Sequence, residues 1–201
     1  RLRINSSGHV TIGSGGSQIN NLTVYDSAAD SAITIQSADA STAGLVFGDA
    51  TDFSRGRIVY DNDDESMAFE TNNLSEAMRI DSSQRVLIGH TSAIAVAGES
   101  NPALQLIGSG STSESWMNVV RFSDNSGASV LNFGKSRSNT IGTMTVVQDD
   151  DVLGIISAAG ADGTDMASVA GQIRFEVDGT PSSDEMPGRI KFSTTAAGAA
   201  S

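Results

Sequence analysis

Acidic side chains are the residues of this chain whose spacing comes closest to a chemical site. Asp61, Asp63 and Glu65 alternate as the first ligands of a calcium-binding loop do. The rest of such a loop is missing, because its sixth position is Ser66 instead of Gly and its twelfth, Asn72, is not a bidentate Glu. We therefore interpret this segment as an acidic, solvated turn, with an ion site as the alternative.

Other candidate metal ligands are few. Asp149-Asp150-Asp151 could gather a cation where three copies of the chain meet on one axis, but we interpret it as an acidic loop. His9 and His90 occupy different positions of the internal repeat described below, so a shared metal role is not predicted. The chain has no Cys, which excludes disulfides, thiolate nucleophiles and Cys-based zinc sites. The sequence predicts no metal and no cofactor.

The sequence predicts no enzyme either. A polysaccharide-cleaving spike needs two carboxylates paired across a groove, and among 24 acidic residues such pairs arise by chance. The Gly-rich segment 13–16 lacks the Lys and the following helix of a phosphate loop, so it is interpreted as a linker. Trp116, the only Trp, could stack on a sugar ring, as aromatic side chains do at binding surfaces. Packing of Trp116 against other copies of the chain is the alternative.

Composition sets limits on the fold and on the partners. The 201 residues carry a formal charge of −12, which disfavours nucleic acid, and they contain no apolar run long enough for a membrane span. Only 38% of the residues are hydrophobic and 5% aromatic, with 21 Gly. A compact domain of this size needs more large apolar side chains, so we expect several chains to share one thin core.

A short phrase occurs twice, at 2–13 and 78–89. Both copies follow the pattern apolar-Arg-Ile-Asx-Ser-Ser-x-x-Val-x-Ile-Gly. The Asx-Ser-Ser centre is typical of a turn, and alternating apolar residues flank it, so each copy is predicted to form a β-hairpin. The chain starts at Arg1, immediately before the first copy, without Met or a signal sequence, and we expect it to be a fragment of a longer protein.

Apolar residues two positions apart recur along the whole chain. Residues at this spacing share one face of a strand, and turn-forming residues separate the pairs. No stretch carries a helical stripe over three turns, so the fold class is predicted to be all-β. The predicted strand pairs are Leu22/Val24, Ile33/Ile35, Leu45/Phe47, Ile58/Tyr60, Met67/Phe69, Met78/Ile80, Val86/Ile88, Leu104/Leu106, Val120/Phe122, Leu131/Phe133 and Met144/Val146.

The last third of the chain contains a second repeat. Gly154, Gly171 and Gly188 recur at one constant interval, and apolar residues follow each of them. Gly at the start of a strand allows a sharp bend or the close approach of another backbone. This constant step is typical of a β-solenoid or a wound fibre. The residues predicted to form the repeat core of the chain are Ile4, Ile12, Ile58, Tyr60, Ile80, Ile88, Ile173, Phe175, Ile190 and Phe192.

Segments 75–91, 31–62 and 133–190 together resemble bacteriophage tail-fibre proteins. The first is similar to a phrase, Glu-Arg-Met-Arg-Ile-Asp-Ser-Ser-Gly, that recurs in the long fibres of marine and cyanobacterial phages, and the others resemble neighbouring modules of these fibres. The resemblance implies an elongated homotrimeric β-fibre, an intertwined triple β-helix or β-prism, in an extracellular virion. It further implies contact with other tail components and with a host surface glycan or protein receptor. An intramolecular chaperone follows many such fibres, but nothing after Phe192 resembles one.

The resemblance divides the chain into three parts. Residues 1–19 would end a preceding module, 20–92 would form one β-fibre module, and 93–201 a second. Gln84 stands where the family phrase has Gly, so the second hairpin turn is expected to be looser or of another type. A receptor-binding or glycan-binding module, a polysaccharide-cleaving spike and a bacterial adhesin stalk remain alternative functions.

Overall fold

The computed structural model describes the backbone of residues 2–4 and 10–12 and all atoms of 33–99, 102–110 and 114–198. This part of the chain contains β-strands and no helix, which confirms the all-β prediction. The strands are β1 Leu2–Ile4, β2 Val10–Ile12, β3 Thr42–Phe47, β4 Gly56–Asp61, β5 Ser66–Thr71, β6 Ser75–Ile80, β7 Val86–Ile88, β8 Leu104–Leu106, β9 Val152–Ala159, β10 Val169–Val177 and β11 Gly188–Thr194.

These strands form three sheets in the described residues. β1 and β2 form a hairpin, β3 to β8 form a six-stranded sheet in sequence order, and β9 to β11 form a three-stranded sheet with β10 in the centre. Neighbouring strands are antiparallel, except that β8 runs parallel to β7. β8 lies beyond the predicted boundary at residue 92, and the three-part division of the chain stays a prediction.

The repeated phrase forms the same hairpin twice. In the first copy Leu2 pairs with Ile12, and in the second Met78 pairs with Ile88, which is the equivalent pairing. The turn of the second hairpin is closed at Gln84, whereas the first turn lies outside the described residues, so the expected difference between them stays a prediction. Gln84 adopts a left-handed φ of 63°, and its N–H donates to the Asp81 carbonyl at 2.8 Å. A left-handed residue commonly closes a short hairpin loop after a type I turn, and Gly is favoured at that last position.

Four of the predicted strand pairs do not form strands. These sequences alternate as strands do, but a strand also needs a ladder of backbone hydrogen bonds to a neighbour, and the described part of the chain forms no ladder with them. Thr145, between Met144 and Val146, accepts a single backbone bond from the Arg137 N–H at 3.2 Å. Leu22/Val24 lies outside the described residues. The four are Ile33/Ile35, Val120/Phe122, Leu131/Phe133 and Met144/Val146.

The constant spacing of the three glycines does not produce a solenoid. β9, β10 and β11 pair antiparallel, so the spacing corresponds to the length of one strand and one turn of a meander. A solenoid coil would have required parallel pairing of the equivalent positions. Within one chain this segment is therefore an antiparallel meander and not a solenoid coil, and the wound fibre of several chains stays a prediction.

Relief of the strain at Gln84 should stabilise the second hairpin. A left-handed conformation costs a residue with a side chain about 1 kcal/mol, and Gly adopts it freely. We expect Gln84→Gly to raise the free energy of unfolding by about 0.5 kcal/mol, after the larger entropy of Gly in the unfolded chain is subtracted. Urea denaturation at fixed chain concentration measures it. Gln84→Ala is the matched control, and equal stabilisation by both variants would contradict the strain explanation.

Candidate functional site

One face of the six-stranded sheet is apolar across all of its strands. Strand register aligns the alternate side chains in two rows that cross the sheet. The predicted core residues of this region all lie in these rows, which we call the apolar face. The first row is Leu45, Ile58, Phe69, Met78, Ile88 and Leu106, and the second is Ala43, Tyr60, Met67, Ile80, Val86 and Leu104.

The apolar face is open to solvent in a single chain. Leu45 and Leu104, in its two edge strands, are 51% and 61% exposed, and Tyr60, Met67 and Ile80 are also exposed. The other members of the rows on β4 to β8 are half-buried by their neighbours in the sheet. A compact monomer rarely leaves so many aligned large apolar side chains uncovered.

The opposite face of the same sheet is closed by its own polar side chains. Arg57 donates to Glu70 at 3.0 Å, and Arg79 donates twice to Glu76 at 2.7 Å. The two ion pairs line a polar cavity of about 70 Å³ that also contacts the buried Ala68. The fully buried side chains of this sheet therefore belong to the face that the sequence did not predict as core.

A loop after β7 is fixed to this closed face through Gln105. The Gln105 amide accepts from the Ile94 N–H at 3.1 Å and donates to the Ile94 carbonyl at 2.6 Å. His90 lies 3.1 Å from the same Gln105 oxygen through Nε2 and 3.1 Å from the Ile88 carbonyl through Nδ1. Both ring nitrogens face acceptors, so a neutral His90 can donate to only one of them. His90 is thus a polar residue just after a strand, as predicted.

The three-stranded sheet also has an apolar face, which its own chain covers in part. Ile156, Ile173 and Phe192 form one row, and Phe175 pairs with Ile190 in the next. All of the predicted core residues of this segment lie in these rows. Phe192 is 76% exposed and Ile190 56% exposed, so half of this face has no cover within the described chain.

Phe133 covers the part of that face around Phe175, whereas Ile156 stays 47% exposed. Its ring stacks on Phe175 with the centroids 6.4 Å apart. A Cβ at Gly154 would lie only 2.6 Å from the Cβ of Phe133, so Gly154 is the position that lets the ring approach the sheet. Close approach, one of the two roles expected for these glycines, is therefore present at Gly154.

The other two glycines of the repeat lie within or at the start of strands. A Cβ at Gly171 would meet the Ser193 carbonyl oxygen at 3.1 Å, and at Gly188 it would have ordinary contact with Glu176. None of the three has a positive φ, and irregularities of the β9–β10 ladder lie beside Gly154 and Gly171. Their role as bend glycines stays a prediction.

A buried carboxylate organises the second face of the three-stranded sheet. Glu176 is 3% exposed and lies within 3.2 Å of three cationic side chains, those of Lys191, Arg189 and Arg174. Lys191 and Arg189 come from the neighbouring strand β11, and the nearest nitrogen, that of Lys191, is 2.6 Å away. Hydrogen bonds from Lys191 and then Arg189 lower the pKa of Glu176.

A second carboxylate, Asp151, fixes the segment that follows Phe133. Arg137 donates to both of its oxygens at 2.7 and 2.8 Å, Lys135 lies 3.0 Å away, and the Gln148 N–H donates at 2.9 Å. Hydrogen bonds from Arg137 first, and then from the Gln148 backbone, hold the pKa of Asp151 well below its usual range. Residues 133–151 are thereby held beside the sheet.

The acidic clusters of the sequence are used by the chain itself. Asp149 accepts from the Gly179 N–H at 2.6 Å, and Asp150 forms an ion pair with Arg189. Asp61 accepts from the backbone N–H of Asp63 at 2.9 Å, which is a local turn. Within the described ranges, no group of three His, Asp or Glu side chains has a geometry that could hold a metal.

Trp116 is 65% exposed. The structure does not place it with any other predicted site residue, and its sugar-stacking role stays a prediction. His9 and residues 13–16 lie outside the described residues, whereas Ile4 and Ile12 belong to β1 and β2.

Sequence reasoning missed the ion-pair faces of both sheets. Arg57 and Glu70 lie on different strands, as do Lys191 and Glu176, so neither pair stands out along the chain. The alternation of polar and apolar residues could have indicated these faces, because Arg57, Arg174 and Arg189 all lie between or beside the apolar residues of predicted strands. The stack of Phe133 on Phe175 had no sequence signal.

Compared with models of known protein families and with curated protein sequences, the chain shows no significant match to either. Among the described residues, no helix is long and apolar enough to cross a membrane.

Acid should weaken the three-stranded sheet through Asp151 and Glu176. Their pKa values are lowered in the folded state, so they stabilise it above the unfolded carboxyl pKa of about 4, and this contribution is lost as the pH falls through the lower folded values. We expect Asp151→Asn to destabilise the protein at pH 7 and to flatten the pH dependence below about pH 4. Urea denaturation from pH 7 to pH 2 measures both effects.

Asp39→Asn is the control for this experiment, because Asp39 is exposed and makes no ion pair with another described residue. If the two variants show the same pH profile, the network around Asp151 does not stabilise the fold.

Proposed function

We propose that this chain is a structural segment of a bacteriophage tail fibre, and that three copies form a shaft that supports host attachment. The observation that carries the proposal is the apolar face of the six-stranded sheet, whose two rows of side chains are open to solvent. Each copy closes its polar face with its own ion pairs, so the apolar face is the surface left for other copies to cover.

The exposure of the apolar side chains supports a shared core. Among the described residues, 29 large hydrophobic side chains are exposed and only five hydrophobic residues are buried, whereas a compact monomer buries most of its large apolar side chains. At about 25 cal/mol for each Å² of apolar surface, covering these side chains stabilises an assembly before the cost of association is subtracted. Stability that comes from association depends on chain concentration.

The resemblance of the sequence to phage tail fibres supports three copies and an elongated shaft. A trimer also agrees with the composition, since each chain offers few aromatics and many small side chains to a common axis. In this proposal the protein is a non-enzymatic, extracellular component of the virion. It contacts other tail components, and the fibre that contains it meets a glycan or protein receptor on the host.

The oligomeric state tests the proposal directly. We expect the full chain to sediment as a trimer at micromolar concentration and to unfold when diluted below its association range. A folded, compact monomer at micromolar concentration would overturn the proposal.

Two adjacent residues of β11 provide a matched pair of variants. Phe192 lies on the apolar face of the three-stranded sheet and Ser193 on the opposite face, and both are exposed in the single chain. We expect Phe192→Asp to weaken association by on the order of 100-fold or more, because the carboxylate would be buried without a partner. Ser193→Asp should leave the trimer intact. Sedimentation equilibrium of both variants measures this, and equal weakening would contradict burial of the apolar face.

A receptor-binding role is the second candidate function, and the exposure of Trp116 is the observation that favours it. If Trp116 instead packs against other copies, Trp116→Ala should weaken association by about tenfold or more, since truncating a buried interface Trp costs about 2 kcal/mol. We expect this weakening of association. A trimer of unchanged stability that no longer binds host surface glycans on an array would assign Trp116 to the receptor site.

A further inference from the structure

Residues 117–136 lie outside any helix or strand and have no backbone partners in the described chain. No backbone N–H or C=O of this segment hydrogen bonds to another described backbone group. Within the described residues, its backbone groups bond only to nearby side chains in the turn at 123–127, as the Gly127 N–H does to Asn125 at 3.0 Å. Near its end, the side chains of Lys135 and Ser136 bond to Asp151 and to the Thr143 carbonyl. Backbone polar groups are almost always paired in assembled proteins once apolar side chains around them are buried.

The same segment exposes several large apolar side chains. Phe122 is 96% exposed, and the two valines before it are also largely exposed. Val119 and Val120 are adjacent, so in a strand they would lie on opposite faces, as in a strand that is covered on both faces. The exposed apolar residues are Met117, Val119, Val120, Phe122, Val130 and Leu131.

Both flanks of the segment are fixed to the rest of the chain. Before it, the Glu114 carboxylate accepts from the N–H groups of Ser109 and Gly110 at 2.9 and 2.8 Å. At its end, Phe133 stacks on Phe175, and Lys135 pairs with Asp151. The segment is therefore held at two points while the backbone between them has no partner, which distinguishes it from a free tail.

Charge favours a second copy of this chain as the partner. Residues 117–136 contain Arg121 and Lys135 against one acidic residue, Asp124, in a chain whose formal charge is −12. Lys135 already pairs with Asp151 of its own chain, whereas Arg121 donates to the neutral Asn125 side chain at 2.9 Å. Arg121 is therefore the cation of the segment that the acidic remainder of another copy would attract. Each copy also offers strand edges that no described residue pairs with, because β9 and β11 are the edge strands of their sheet. An extended segment and an open sheet edge are the two components of strand addition.

We propose that residues 117–136 form β-strands that pair with other copies of this chain. The six-stranded and three-stranded sheets are paired within one chain, whereas this segment receives its backbone partners from another. The inference rests on the proposed assembly of several copies, and it adds that the copies are joined by backbone hydrogen bonds here and not by apolar contact alone.

Hydrogen–deuterium exchange on the wild-type full chain tests the inference, with sedimentation of the same sample. We expect the amides of 117–122 and 129–134 to exchange at least about 100-fold more slowly in the trimer than in an unstructured peptide. The turn at 49–55 is the reference, because Asp49 and Arg55 donate backbone bonds within their own chain. Its protection should not require the trimer.

The partner chain is identified by cross-linking between isotopically distinct copies. A photoreactive phenylalanine replaces Phe122 in unlabelled chains, which are unfolded and reassembled with ¹⁵N-labelled chains. We expect cross-linked peptides that contain one unlabelled and one labelled half. The same substitution at Phe53, a similarly exposed aromatic in the self-bonded turn, is the control and should give few mixed products.

The outcomes separate this inference from the proposed function. A trimer whose 117–136 amides exchange rapidly overturns the inference but does not contradict the proposed trimeric shaft. A trimer in which these amides are protected but Phe122 cross-links only within one chain also overturns it. A folded monomer overturns both.

Discussion

The strict alternation of side chains along hydrogen-bonded strands is the constraint on which this structure depends. Because neighbouring strands keep their register, alternate residues of six strands align into two uninterrupted apolar rows on one side of the sheet. A slip of one residue in any strand would move its apolar side chains to the side that carries the Arg–Glu pairs. The register therefore determines both which surface is closed within the chain and which is left for assembly.

The closed faces set the register with charge. In the six-stranded sheet Arg57 meets Glu70 across one strand pair, and in the three-stranded sheet Glu176 meets Arg189 across another. Each of these pairs lies beside apolar positions of the same strands, so a shift that broke the ion pair would also expose an apolar row on the wrong side. Partly buried ion pairs add little net stability, and their attested use is to specify one arrangement over others. We assign them that role here.

The two sheets differ in how much of the apolar surface their own chain covers. In the three-stranded sheet, Phe133 stacks over Gly154 and Phe175, and the Asp151 network holds the segment that carries it. In the six-stranded sheet no described segment crosses the apolar face. Residues 117–136 carry exposed apolar side chains, and their backbone has no partner among the described backbone groups. These are the properties of a segment completed by a neighbouring copy.

The sequence alone determined the fold class, the two equivalent hairpins and the set of residues that share the apolar faces. These depend on local alternation and turn chemistry, which are properties of short segments. It did not determine that Val120/Phe122 and Met144/Val146 would lack strand partners, because alternation shows how a strand would present its side chains but not whether a neighbour exists. Nor did it show that the evenly spaced glycines belong to an antiparallel meander, because the spacing of residues does not indicate the direction of the strands.

Which face of each sheet is closed was decided only by the tertiary structure. There Arg57, Glu176 and Asp151 each meet an oppositely charged side chain from another part of the chain. Pairing between distant segments follows from strand register and from docking onto the sheet, and both exist only once the sheet has formed.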